Sequence, residues 1–184
     1  MVYPIFVYGN TVLKKRASEI EEGSDVKELA ADMFETMKSA SGIGLAAPQI
    51  GKSHRLFIID TSQMEDEEIG DYKMIFVNPE IIEEWGEEWD FEEGCLSIPT
   101  IREDVSRLDS VHIRWFDENW DQHEEEFDGM IARIIQHEYD HLNGVLFTDH
   151  ITSLKRRLLK GKLSNISKGN VETSYRIAAP LANA

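Results

Sequence analysis

The residues with the clearest capacity for chemistry lie in the run His137-Glu138-Tyr139-Asp140-His141. On a helix, residues four apart share a face and stand about 6 Å apart along the axis. Both imidazoles can then reach one metal ion, and Glu138 beside them can take a proton from water at that ion. The bland alternative is an exposed, charged helix. The preceding residues argue against it, because Met130, Ile134, His137, Glu138 and His141 fall on one broad face at helical spacing. A surface helix does not normally align its histidines with its apolar residues. Inward-facing imidazoles beside a carboxylate need a partner, and a metal ion is the simplest one.

A catalytic metal site takes three protein ligands and keeps one position open. After the motif, the run from His141 to Phe147 follows a metalloprotease pattern until its last residue, where Phe147 stands in place of a third His. His150 comes three residues too late, and Glu172 lies in a segment that does not read as helical. There remains the lone cysteine, Cys95, within Glu93-Gly94-Cys95-Leu96-Ser97-Ile98-Pro99. Gly94 permits a close backbone approach, and a thiolate is an excellent ligand for a first-row metal. Cys95, His137 and His141 with Glu138 as base make a coherent set. Asp140, Arg102 and Arg107 are candidates for holding a ligand or its helix in place, or equally for ordinary surface ion pairs.

These residues need a scaffold, and 184 residues suffice for one domain with a real core. A formal net charge of -16 argues against a nucleic-acid binder, DNA included, whose phosphate contacts need a basic face. One cysteine rules out a disulfide within the chain. The opening Met1 to Val7 is too short and unbasic for a secretory signal, and no run approaches the ~20 apolar residues that span a bilayer. The expectation is a cytoplasmic protein with no membrane contact. The acidic residues at Glu65 to Asp71 read as a loop.

The first helix reads from Val26, Leu29, Ala30, Met33 and Met37, with Ser24 or Asp25 at its start and Gly42 ending it. Arg55 to Asp60 and Met74 to Val77 read as strands, with Glu80 to Glu84 continuing the sheet. The Glu- and Trp-rich block Trp85 to Glu93 reads as a solvated loop or an edge. Val111 to Phe116 alternates as a half-buried strand, a second helix runs from about Gly129 to Leu142, and a third follows at about 152–163. Strands followed by helices without βαβ alternation predict an α+β fold, with mostly antiparallel sheets packed around a central metal-binding helix that carries the His-Glu-x-x-His motif. Residues 1–163 are expected to form a single catalytic domain, and 164–184 a tail with only weak strand signal at Val171 to Ile177.

Three motifs then carry a resemblance: Gly42-Ile43-Gly44-Leu45-Ala46-Ala47-Pro48-Gln49, Glu93-Gly94-Cys95-Leu96-Ser97, and the run Gln136 to Gly144. In this order and spacing the chain resembles the peptide deformylases up to about Leu163. The resemblance implies hydrolysis of the formyl group from N-formylmethionyl nascent peptides, with formate released. It implies one divalent ion on Cys95, His137 and His141, Fe(II) by preference, with Zn, Ni or Co as possible substitutes. Glu138 would be general base and acid, and the Gln49 amide and the Leu96 N–H would bind the formyl oxygen. Backbone groups at Ile43 and Gly44 would pair with the extended peptide, and Gly94 would adjoin it. Ile43, Met130, Arg133 and Ile134 would line the methionine pocket, with the stem of Arg133 as wall unless it points to solvent. Arg107 would pair with Asp140. The basic residues Lys155, Arg156, Arg157, Lys160 and Lys162 would either face solvent or give the last helix a contact with ribosomal RNA.

Overall fold

The computed structural model describes residues 1–64 and 69–180, so part of the acidic run at Glu65 to Asp71 lies outside the described residues. Seven strands and three α-helices are described: β1 (Ile5–Phe6), α1 (Lys27–Ser39), β2 (Gly44–Ala46), β3 (Leu56–Asp60), β4 (Lys73–Cys95), β5 (Ile98–Phe116), β6 (Gln122–Asp128), α2 (Gly129–Leu142), α3 (Ser153–Ser167) and β7 (Ile177–Ala178). Strands β2 to β6 form one antiparallel sheet in sequence order, while β1 and β7 pair in parallel as a separate ribbon.

The run Leu56-Phe57-Ile58-Ile59 is apolar throughout because both faces of β3 are covered. Strand side chains alternate, so Phe57 and Ile59 enter the core shared with Ile131, Ala132, Ile134 and Ile135 of α2. Leu56 and Ile58 enter the opposite core with Met33 and Met37 of α1. The sheet is thus sandwiched where β3 runs. Asp25 Oδ1 accepts from the Lys27 N–H at 3.1 Å at the start of α1, and the Gly42 N–H reaches back to the Met37 carbonyl at its end.

Beyond Val77, β4 leaves β3, and from Glu88 to Cys95 it pairs with Ile98 to Leu108 of β5 alone among the described residues. Trp85 to Glu93 is therefore the free edge of a two-stranded arm. Its tip is the two-residue turn Leu96–Ser97, and the register slips between Gly94 and Cys95. A third core of Val7, Leu13, Ile98, Ile101, Val105, Leu146, Phe147, Leu163 and Ile166 packs β5, the N-terminal segment and α3 together around that arm.

The structure corrects the expectation of a metal site carried by the central helix. Among the described residues the groups able to hold an ion are Cys95, His137 and His141, so the site forms where α2 meets the tip of the β4–β5 hairpin, not on α2 alone. The physical reason is that one helix face offers two imidazoles at adjacent turns, and the third donor has to come from across the packing interface.

Candidate metal centre

Cys95 ends β4, and His137 and His141 sit one turn apart on the buried side of α2. Their ligand atoms lie within 4.8 Å of one another, and Cys95 Sγ is 3.3 Å from His141 Nε2. The two imidazole centroids are 5.2 Å apart. His137 Nδ1 meets Glu93 Oε1 at 2.8 Å, which leaves Nε2 as its ligating atom. Burial, helped by the neighbouring His137, holds His141 well below the usual imidazole value, which favours the neutral, ligating form. For His137 burial acts in the same sense, but hydrogen bonds to Cys95 and Glu93 outweigh it and push the ring upward. A thiol and two imidazoles this close fit one divalent first-row ion.

Glu138, one residue after the first ligand, is buried and lines the same cleft. Desolvation pushes its carboxyl up to about 7, while a cation on the three donors acts in the opposite sense. Its Oε2 and His141 Nδ1 are buried with no protein hydrogen-bond partner. A buried carboxylate oxygen without a partner is costly unless water or substrate meets it. The space around Glu138 is tight on one side: a Cβ on Gly44 would stand 2.8 Å from its Cδ. This gives the second glycine of the first motif a role in side-chain packing.

Gln49 is 2% exposed, and the turn Ala47–Ile50 aims it. Its Oε1 accepts from the Ala46 N–H at 2.9 Å, which fixes the amide so that Nε2 points at Cys95 Sγ (3.4 Å) and Ser97 Oγ (3.2 Å). Leu96 follows the cysteine in the hairpin turn. The Ile43 carbonyl accepts from the Asp60 N–H at 2.9 Å, so the alternation of the ladder turns the backbone groups of Gly44 toward the open edge of the sheet. A cleft of about 620 Å³ gathers Ile43, Gly44, Gln49, Gly94, Cys95, Leu96, Met130, Arg133, Ile134, His137 and Glu138. His141, Asp140 and Arg107 stand behind it.

The chief residue without a role in the sequence reading is Glu93. It is 6% exposed and accepts from Arg107 Nε at 2.7 Å, Arg107 Nη2 at 3.0 Å and Arg133 Nη1 at 2.6 Å, besides its contact with His137. Burial raises a carboxyl, yet His137 and Arg107 outweigh it and hold Glu93 far below the ordinary range. A period-two signal was available, since residues two apart on a strand share a face and Glu93 precedes Cys95 by two. Arg107 Nη1 also meets Asp140 at 2.9 Å, and Asp140 meets His150 Nε2 at 2.8 Å. The guanidinium of Arg133 turns inward, with Nη2 donating to the Trp89 carbonyl and Cζ 4.3 Å from the centroid of the Trp89 ring. Only its stem is left to line the cleft.

An α+β fold, a three-donor cluster from two elements and an adjacent buried carboxylate define a metal-dependent hydrolase. Comparison with known proteins gives the particular kind. The family model for polypeptide deformylase matches residues 2–157. A peptide deformylase of Cytophaga hutchinsonii is 59% identical over 182 residues, covering 98% of this chain and 99% of that one. Another, from Christiangramia forsetii, is 49% identical, covering 99% and 98%. The crystal structure of peptide deformylase from Thermus thermophilus superposes with a TM-score of 0.82 at 38% identity, covering 92% of this chain and all of that one. The chain belongs to the polypeptide deformylase family.

Proposed function

We infer that the chain's reaction, the metal-dependent hydrolysis of the N-formyl group from the terminal methionine of newly synthesised polypeptides, is carried through by Glu138, Gln49 and the Leu96 N–H. The observation that carries this reading is the cluster of Cys95, His137 and His141 within 4.8 Å, beside a buried carboxylate. Cys95, His137 and His141 would hold a divalent ion, which would supply Lewis acidity toward water and the formyl carbonyl. Glu138 takes a proton from the water that adds to the formyl carbon. As the C–N bond breaks it gives that proton to the departing amine, and formate leaves. Gln49 Nε2 and the Leu96 N–H donate to the formyl oxygen as it gains negative charge, and a neutral amide does so without a carboxylate's repulsion.

The peptide lies along the outward edge of β2 and pairs with Gly44 as an added strand. Ile43, Met130, Ile134 and the stem of Arg133 receive the methionine side chain, with Gly94 alongside. Asp140 and Arg107 hold α2 and the arm in register. The ligands, the base and the groups that meet the formyl-methionine all lie within residues 1–163. The ion is Fe(II): the donor set accepts Zn, Ni or Co as well, and the family resemblance tips the choice to iron. Enzyme prepared anaerobically with iron then loses activity in air as the iron and the Cys95 thiolate oxidise. Full activity through days of aerobic handling with zinc alone would rule iron out as the working ion.

None of the helices in the described residues is long and apolar enough to cross a membrane, and the place of work is the cytoplasm, at the emerging nascent chain. Contact with the ribosome runs through α3, where Arg157, Lys160 and Lys162 are exposed beside Leu154 and Leu158, themselves 65% and 76% exposed. Reversing Arg157 and Lys160 to Glu weakens co-sedimentation with ribosomes and leaves turnover of short peptides intact; unchanged co-sedimentation would sink this contact. The catalytic assignment is tested by Glu138→Gln. Formate release from a formyl-Met peptide falls by about 10²- to 10⁴-fold, with one equivalent of metal still bound. A variant that keeps wild-type turnover removes Glu138 from the mechanism.

A further inference from the structure

The turn that carries Leu96 is held from both ends of the chain. On one side the Tyr8 N–H donates to the Ser97 carbonyl at 2.8 Å. On the other the Tyr175 hydroxyl donates to the Leu96 carbonyl at 2.8 Å, across 79 residues of sequence. Gln49 Nε2, between them, meets Ser97 Oγ. Tyr175 belongs to a strap that leaves α3 at Gly169 and is fixed again at β7, where the Ile5 N–H donates to the Arg176 carbonyl at 2.8 Å, the Val7 N–H to Ala178 at 3.1 Å and Asn10 Nδ2 to Ala178 at 2.8 Å. Between these anchors Glu172, Thr173, Ser174 and Tyr175 form one wall of the metal cleft. The Tyr175 ring packs with Leu96 against the core of Leu45, Met37 and Met33.

The register slip between Gly94 and Cys95 disrupts the ladder beside this turn, so contacts from outside the hairpin add to what fixes its peptide planes. Rotation about the Leu96 backbone re-aims its N–H relative to the metal ligand one residue earlier. An oxyanion donor is useful only if it is oriented before charge develops. We propose that Tyr175 is a positioning residue for the reaction: through the Leu96 carbonyl it locks the turn so that the Leu96 N–H points at the formyl oxygen. The tail is thereby part of the active site, though none of its atoms touches the reacting bond. The inference rests on the role given above to the Leu96 N–H.

The test is Tyr175→Phe, which removes one oxygen and keeps the ring in its packing. With metal-loaded full-length enzyme and a formyl-Met peptide, kcat falls about two- to tenfold, the range of one lost hydrogen bond, while KM stays within about twofold. Amide hydrogen exchange of the metal-loaded protein, resolved to segment 95–98, speeds up there and stays unchanged in α2. A purely structural role predicts exchange raised broadly through the β1–β7 ribbon, and that result overturns the proposal. So does a loss confined to KM, which makes Tyr175 only a wall of the cleft, and so does an unaltered kcat with unaltered local exchange. If the wild type itself releases no formate, the reading of the reaction fails, and the role of Tyr175 falls with it.

Discussion

Replacing Gly44 by Ala adds one methyl group at the point of the site with no room for it. The new Cβ stands 2.8 Å from Cδ and 2.9 Å from Cγ of Glu138, where carbon atoms need about 3.5 to 4.0 Å. The backbone of Gly44 lies outside the left-handed region, so no strain in φ confuses the result. Relief requires the buried Glu138 carboxylate to retreat by about 1 Å, a misplacement that costs on the order of 10²-fold in rate. The overpacking itself costs about 1–3 kcal/mol of stability. The assay is formate release at saturating formyl-Met peptide, with bound metal measured on the same sample. The expected result is a kcat about a hundredfold lower with one equivalent of metal retained. Gly144→Ala is the control: its Cβ would meet the Lys14 backbone at 2.6 Å from a φ of +73°, so it lowers the melting temperature but leaves kcat per folded molecule near wild type. A Gly44→Ala enzyme within threefold of wild type in kcat would refute the idea that this glycine exists to seat Glu138.

Glu93→Gln leaves Arg107 and Arg133 buried without their shared carboxylate, an uncompensated charge worth about 3–5 kcal/mol. Urea denaturation should show that loss, and competition with a chelator should show metal held about 10- to 100-fold less tightly, because His137 loses its carboxylate partner. Chelation of the wild type abolishes formate release, and one equivalent of divalent ion restores it; activity that survives complete metal removal contradicts the site. For Asp149, burial raises the carboxyl, but the Leu146 N–H and Lys14 outweigh it and hold the group below its ordinary value. A folded-state value lower than the unfolded one contributes stability above the ordinary carboxylate range, and that stability is lost as pH falls through the folded value. Lys14→Met therefore narrows the gap in stability between pH 6 and pH 3, as measured by denaturant titration at both.

What the sequence revealed and what it hid divide by the range of the interactions. The helix α2 was legible because its 3.6-residue periodicity is local, and its histidines share a stripe with Ile134. Cys95 was reachable by elimination, being the lone thiol in the chain. Trp85 to Glu93 gave little strand signal because most of its side chains are exposed and the one it buries, Glu93, is a carboxylate held by arginines rather than an apolar residue. Gln49 entered through resemblance alone: no local rule says that the Ala46 N–H will pin its oxygen and turn its nitrogen toward Cys95. The inward turn of Arg133 depends on Glu93, 40 residues earlier. Tyr175 was out of reach, since its partner is a carbonyl on a turn that forms only when the arm has folded back.

The correction to the helix-borne site follows from the same distinction. A helix can place two donors and a base at fixed spacing unaided, and so the motif is conspicuous. The remaining parts of the chemistry, namely the third ligand, the turn N–H and the Gln49 amide, must approach from a different direction to surround an ion and a carbonyl. Here they come from the hairpin tip and the turn after β2, elements that meet α2 only once the chain has folded. Their precision is then a property of tertiary contacts: Gly44 against Glu138, Glu93 between two arginines and His137, and the two chain ends closing on Leu96 and Ser97. Substitutions at these supports should therefore lower kcat or metal affinity, although none of them removes a ligand or the base.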